Sequence, residues 1–332
     1  MMPLQPWKRL GVALAIGVLA SCNNAGAERT MGISATGVVR GFVYFDANGS
    51  RTSDAGDAPF AGARVRLLAP VSRDTLLRAV TGADGTFRLA GVPVGAYALV
   101  IDSASAGDSA RVIGVDVPTL TVLPGDSVEV TGAISFPERT AAEVRTLPLG
   151  TRVFVKGIAL HARETFSDTL LHVVDTSGAI RATRVRPSAT PAVAGDSLRL
   201  RGRIAVRLGQ RVLDDVSVFV IGPTFIPTVN TITAAVAMTA RAGTLDAALV
   251  RILNATVTDT ATVAGHLTMT VGDGSGAVVV LLDRAADAAF RVPYPAGLFV
   301  APNRFDIVGV LVPTGTGTWR VRPRSVLDLT LR

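Results

Sequence analysis

Asp175-Thr176-Ser177-Gly178-Ala179-Ile180 and, 98 residues further on, Asp273-Gly274-Ser275-Gly276-Ala277-Val278 decide the architecture of this 332-residue chain. Each turn follows a short apolar run, Leu170-Leu171-His172-Val173-Val174 in the first copy and Leu267-Thr268-Met269-Thr270-Val271 in the second. A strand-like segment precedes each copy: Gly150 to Gly157 in one, Ala248 to Ile252 in the other. Another follows each, Ala194 to Gly202 and Ala301 to Gly309, and Trp319 to Arg324 closes the second copy. Gly202 and Gly309 correspond at a spacing of 107, so the second copy carries a nine-residue insertion near Arg284 to Pro295. Its Arg284 to Phe290 run is expected to form a helical excursion. Short alternating runs bounded by Gly, Asp and Pro predict strands joined by tight turns.

Order and spacing in both copies resemble the OB-fold, a five-stranded closed barrel. The Asp-x-Ser-Gly turn then joins the second and third strands, and the Gly-Asp or Pro-Asn turn starts the fourth. The narrower likeness is to small OB domains of exported bacterial nucleases and envelope lipoproteins. A pair of small β-sandwiches is the alternative.

Upstream, Gly41-Phe42-Val43-Tyr44-Phe45 alternates into a strand and a polar loop, Asp46 to Asp57, follows. Then come Pro59, Gly62, the strand Ala63 to Leu68, Thr81-Gly82-Ala83-Asp84-Gly85-Thr86-Phe87, and Gly91 to Val100. The Asp84-Gly85 turn suits a hairpin. Residues 119–136, with Pro124-Gly125-Asp126 inside, read as a closing strand pair. This set resembles the B-type domain of SD-repeat surface proteins and the carboxypeptidase regulatory-like domains. That resemblance implies a transthyretin-like, antiparallel β-sandwich. The expected organisation is all-β: a signal segment over 1–21, a linker over 22–36, the sandwich over 37–137, and OB-like barrels over 138–225 and 226–332.

The resemblance also maps a calcium loop onto Asp46, Asn48, Ser50, Asp54 and Asp57. Hard cations take oxygen ligands at alternating loop positions closed by a carboxylate. Ser50 stands where an acid is expected, Arg51 where glycine is usual, and Asp57 is shorter than Glu. A solvated turn between two strands is the other reading of the same residues.

The N-terminus carries Lys8 and Arg9, then an apolar run from Gly11 to Ala20. That run is shorter than the ~20 residues a membrane-spanning helix needs. It fits the apolar part of a secretory signal. It ends in Leu19-Ala20-Ser21-Cys22, which resembles the bacterial lipobox. The resemblance implies lipid attachment at Cys22 after export, and Asn23 beside it implies an outer-membrane destination. Cys22 is the only cysteine, so no disulfide is available and stability must come from apolar cores.

Charge is unevenly spread. Residues 23–137 carry net −2, residues 138–225 net +5 and residues 226–332 net +2. Nearly all the positive charge is arginine. On the strand ending at Gly202, Arg199, Arg201 and Arg203 share one face, while Leu198, Leu200 and Ile204 share the other. Arg181, Arg184 and Arg186 fall on the expected third strand. Together these six are the candidate anion-binding set. A basic groove is half of a single-strand nucleic-acid site; stacking aromatics are the other half. Phe154, Phe166 and Phe219 are the aromatics of this segment, each flanked as a core residue would be. An exposed aromatic platform would instead suit a polysaccharide, with Tyr97 and Trp319 as candidates.

His161, His172 and His266 lack zinc-ligand spacing, and no Ser, His and acid set is recognisable. The expectation is a non-catalytic envelope protein, anchored to the membrane by lipid, that binds or spaces. No cofactor beyond calcium is expected. The alternatives are a nucleic-acid-binding accessory protein and a carbohydrate-binding module, and an envelope protein partner fits the first reading.

Overall fold

The computed structural model describes residues 35–107, 109–226, 229–290, 297–315 and 317–332. The signal-type segment, Cys22 and most of the linker lie outside these residues. Among the described residues no helix is long and apolar enough to cross a membrane.

The first module is a sandwich. Its strands are β1 (Thr36–Phe45), β2 (Ala58–Pro59), β3 (Arg64–Leu68), β4 (Thr75–Val80), β5 (Thr86–Pro93), β6 (Gly95–Ile101), β7 (Arg111–Val115), β8 (Thr119–Val122) and β9 (Ser127–Ser135). One sheet runs β2-β1-β9-β7, with β5 also paired to β1, and the other runs β4-β3-β6-β8. Alternate residues of the facing strands, among them Val39, Val43, Val65, Leu67, Leu99 and Ile134, close a shared core. The pairing of β1 with β9 is parallel, from Val38 opposite Ser127 to Phe45 opposite Ile134.

Two expected pairings inside the sandwich do not form. The turn at Asp84-Gly85 forms, with Gly85 at φ +75° and its N–H donating to Gly82 O at 2.9 Å. Yet β4 and β5 enter different sheets, so the turn is an arch across the sandwich. The same holds for β8 and β9 around Pro124-Gly125-Asp126. Alternation shows which face of a strand is buried but not which neighbour it pairs with.

The second module opens with a short helix α1 (Ala141–Val144) and continues with β10 (Arg152–Ala159), β11 (Leu170–Asp175), β12 (Gly178–Thr183), β13 (Asp196–Arg207) and β14 (Gln210–Pro223). These strands close into a barrel in the order β10-β11-β12-β14-β13. The third module repeats the plan: β15 (Asn230–Thr231), α2 (Ala234–Thr239), β16 (Leu249–Val263), β17 (His266–Gly272), β18 (Ala277–Leu282), β19 (Arg304–Gly315), β20 (Thr318–Arg322) and β21 (Leu329–Leu331). Pairing of β16 with β19 closes the ring β16-β17-β18-β20-β19, the same order as before. Both are OB-like barrels. Parallel contacts of the third and fifth strands, β12 with β14 and β18 with β20, close each ring. In place of the expected helical excursion there is one turn of 3-10 helix, Ala288–Phe290; residues 291–296 lie outside the described set.

The corresponding glycines mark close approaches. A Cβ on Gly202 would meet Leu213 Cγ at 2.7 Å and Asp214 O at 3.0 Å, and one on Gly309 would meet Val321 Cγ1 at 2.6 Å and the backbone of Arg322 at 2.9 Å. Neither strand could approach its neighbour this closely with a larger residue.

The repeated Asp-x-Ser-Gly turns have a structural task. Asp175 Oδ1 accepts from Ser177 N, Ser177 Oγ and Gly178 N at 2.7, 2.6 and 3.0 Å. Its Oδ2 accepts from Ala141 N at 2.7 Å, and Ser177 Oγ accepts from Ala142 N at 3.0 Å. In the second barrel, Asp273 accepts from Ser275 N, Ser275 Oγ and Ala234 N, while Ser275 Oγ accepts from Ala235 N. Each turn thus takes up the free N–H groups at the start of the helix that opens its own barrel. Thr140 and Thr233 cap the same helices. Burial pushes the Asp273 carboxyl up, but the Ser275 hydroxyl and the Ala234 and Ser275 N–H groups outweigh it and lower its pKa.

Candidate functional site

The polar loop and the arginine strand, far apart in sequence, meet at the junction of the sandwich and the first barrel. The burial pattern along β13 alternates as expected, with Leu198, Leu200 and Ile204 inside. The opposite face is not open, however. Arg199 Nη1 donates to Gly49 O at 2.5 Å and Arg201 Nη1 donates to Ala47 O at 2.7 Å. Arg199 Nε also lies 3.6 Å from Glu138. Two of the three strand arginines therefore hold the loop of the neighbouring module.

The loop itself is closed by its own donors. Asp46 is buried; its Oδ1 accepts from Gly49 N and Ser50 N, and its Oδ2 from Arg51 N. Asn48 Nδ2 donates to both carboxylate oxygens of Asp54 at 3.1 and 3.0 Å, and Ser50 Oγ donates to Asp54 Oδ2 at 2.9 Å. Asp57 accepts from Ala47 N and Asp54 N. Arg51 adopts φ +67°, the left-handed conformation that the glycine position demands. Asp46, Asn48, Ser50, Asp54 and Asp57 are gathered as the resemblance implies. As arranged, their oxygens accept from N–H and O–H groups within the loop itself.

The remaining arginines of the set are also placed. Arg184 pairs with Asp214, and Arg203 and Arg207 lie 3.8 and 3.3 Å from the same carboxylate. The Arg184 hydrogen bond, acting against burial, holds the Asp214 carboxyl down to about 2. Arg186 grips Asp215 with two bonds of 2.9 Å. Arg181 is buried and donates to Arg207 O at 3.0 Å. Burial lowers its pKa, and the nearby Asp246 opposes this.

Beside the docked loop lies a cleft of about 580 Å³, walled by Asn48 and Asp57 on the sandwich and by Arg186, Ser188, Arg201 and Phe219 on the barrel. Phe219 is half-buried, with the Arg201 guanidinium 5.8 Å from its ring centre. Phe154 and Phe166 are core residues. Tyr97 is buried with its hydroxyl donating to Pro93 O at 2.9 Å. Trp319 is buried with Nε1 donating to Asp246 Oδ1 at 2.9 Å, so neither ring forms an exposed platform.

A second polar cluster, unread in the sequence, lies where the barrels meet. His161 and His172 are both buried, with Nε2 of the first 2.8 Å from Nδ1 of the second. His161 Nδ1 is 2.8 Å from Ala162 O and therefore carries the proton. His161 Nε2 then accepts from His172 Nδ1 and from His172 N. His172 Nε2 is left without a partner. Burial pushes the His161 pKa down to about 4 and that of His172 well below its ordinary value. Arg322 stacks 4.1 Å from the Phe166 ring centre and pairs with Asp283. Arg324 donates to Leu160 O at 3.0 Å, and Arg145 donates to Gly243 O and Asp246 O at 2.9 Å each. Leu160, Phe166, Leu249, Val310 and Val312 form an apolar cluster across this junction. Histidines 11 residues apart with no ligand spacing gave no sign of meeting.

No family model matches the chain, and no curated protein matches it. Among solved structures, the hypothetical protein ygiW from E. coli is similar at 18% identity, over 26% of this chain and 97% of its own, with a TM-score of 0.22. The Ifi202 HINa domain in complex with 20bp dsDNA is similar at 12% identity, over 56% of this chain and 97% of its own, with a TM-score of 0.28. A murine DNA binding protein bound with ds DNA is similar at 9% identity, over 54% of this chain and 97% of its own, with a TM-score of 0.28. What those proteins bind is theirs; the chain itself is an all-β protein with a sandwich and two OB-like barrels.

Proposed function

We propose that this chain is a non-catalytic, lipid-anchored arm of the bacterial cell envelope that spaces and presents a binding surface. One observation carries the reading: arginines donating to backbone carbonyls lock both junctions between modules. The second junction adds a buried apolar cluster. Holding three modules in one orientation is what a spacer requires, and independently mobile domains would lack such joints. The lipobox-type ending at Cys22 supplies the anchor, and Asn23 favours the outer membrane.

The wild-type chain expressed in a bacterium should carry lipid mass on Cys22, and Cys22→Ser should carry none, because a serine hydroxyl cannot form the thioether. In small-angle scattering, a chain beginning at Asn23 should behave as one rigid particle. Arg145→Ala combined with Arg324→Ala should broaden its distance distribution. An unlipidated wild-type protein removes the anchor, and a wild type as flexible as the variant removes the spacer.

The nucleic-acid reading asks Arg199, Arg201 and Arg203 to track phosphates. The loop docks across Arg199 and Arg201, so the strand presents no continuous track for successive phosphates, and no measurable affinity for single-stranded DNA is expected at physiological salt. Micromolar binding with a log–log salt slope near about −2, three contacts' worth, would replace the proposal.

A further inference from the structure

Arg152 on β10 stands directly opposite Arg203 on β13. Like charges in opposed cross-strand positions destabilise a sheet. Two more arginines crowd the same place: a small cavity of about 90 Å³ is lined by Arg152, Arg186, Arg201, Arg203, Asp215 and Phe136 together with Gly202 and Ser217. Four arginines and one carboxylate thus line this space. Arg186 holds that carboxylate at 2.9 Å, and Asp214 is shared among Arg184, Arg203 and Arg207. The crowding is felt at Arg201, whose pKa is lowered by burial first and then by Arg186 and Arg152. Arg152 lies with its guanidinium 5.9 Å from the Phe136 ring centre. The cavity abuts the 580 Å³ cleft through Arg186, Arg201 and Ser217, which line both. The larger space falls in the range of small-ligand sites, about 300–1,000 Å³.

We propose that this junction binds a phosphate-type oxyanion, with the anion among Arg152, Arg186, Arg201 and Arg203 and any uncharged body in the adjoining cleft beside Phe219. Planar guanidinium groups present paired donors that match the oxygens of such an anion. Its charge relieves the opposed arginines, whereas an uncharged solute cannot. The small volume admits the anion and leaves the rest of a ligand in the cleft. Because the sandwich loop forms one wall of the cleft, an occupied site ties two modules together. This inference stands independently of where the chain is anchored.

The test uses the whole chain from Asn23 and four solutes at low ionic strength: inorganic phosphate, inorganic sulfate, a hexose phosphate and the same hexose without phosphate. Phosphate and hexose phosphate should bind by titration calorimetry and raise the melting temperature, and the neutral hexose should do neither. Tighter binding of hexose phosphate than of inorganic phosphate identifies a phosphorylated solute as the source; equal binding identifies the free anion. Arg152→Gln should weaken binding at least about tenfold, the loss of one charge-assisted contact. Its melting temperature without anion should be unchanged or higher, since the opposed pair is removed. Arg88→Gln, on an exposed face of the sandwich, should leave binding intact. No binding of any phosphate solute, or full binding by Arg152→Gln, overturns the proposal.

Discussion

Between pH 6.5 and pH 4 the chain should lose about 3 kcal/mol of stability on account of buried His161. The unfolded chain protonates His161 near its ordinary value of 6.5, whereas burial in the fold lowers it to about 4. The folded form is therefore the one that binds fewer protons in this window. Its stability is full above pH 6.5, falls as the unfolded state takes up protons, and stops falling from this source below pH 4. His172 acts in the same direction, being fully buried beside its partner and beside Arg181 and Arg322. The Asp214 carboxyl belongs to a lower window. It stabilises the fold above 3.8, and that contribution fades as pH falls toward about 2. Denaturant unfolding at about pH 7 and about pH 4.5 separates the two windows. Hydrogen exchange of the β11 amides gives the local readout. His161→Gln with His172→Gln should flatten the upper window even where it lowers stability at neutral pH. An unchanged pH slope in the double variant sinks the assignment.

Asp175→Ala should cost the first barrel about 3 kcal/mol, and Asp273→Ala should cost the second a similar amount. Each carboxylate receives N–H and O–H donors from its own turn and one N–H from the barrel's opening helix. Removing it takes the acceptor from the turn's donors and from one N–H at the start of the helix. Ser177→Ala alone removes one link of the same network, so the double variant Asp175→Ala/Ser177→Ala should cost much less than the sum of the singles. In a chain from Asn23 the only tryptophan is Trp319, buried in the second barrel, so its fluorescence follows Asp273→Ala directly. The lowered Asp273 pKa fixes the sign of the pH effect. The penalty of Asp273→Ala should be full at neutral pH and shrink as acid protonates the wild-type carboxylate. Additive single-variant costs, or a penalty that grows in acid, contradict this role.

The Asp-x-Ser-Gly repeat was legible because turn chemistry and apolar runs recur together at matched spacing. Its partner signal, Thr140-Ala141-Ala142 and Thr233-Ala234-Ala235, was equally available and went unread. Helices this short have too little periodicity to announce themselves, and only the caps betray them. Which sheet each sandwich strand enters was not legible. Arches and hairpins share the same Asp-Gly and Pro-Gly turns, and long-range pairing decides between them. The face of β13 that carries Arg199 and Arg201 was read from alternation alone. That this face meets Ala47 and Gly49 depends on how two modules dock, which no local pattern encodes. The meeting of His161 with His172 depends on the register of β10 against β11 inside the first barrel, which the spacing of two histidines does not encode.

The parallel pairing of β1 with β9 has a mechanical consequence. Both strands run the same way, so the chain enters the sandwich at Thr36 at one end and leaves for the barrels after Ser135 at the other. A pull between the chain before Thr36 and the barrels slides the two strands past each other along their length. All the rungs from Val38–Ser127 to Phe45–Ile134 are then loaded together in shear, instead of being peeled open one at a time. Tension applied along this path is therefore borne by eight paired positions of the sandwich at once.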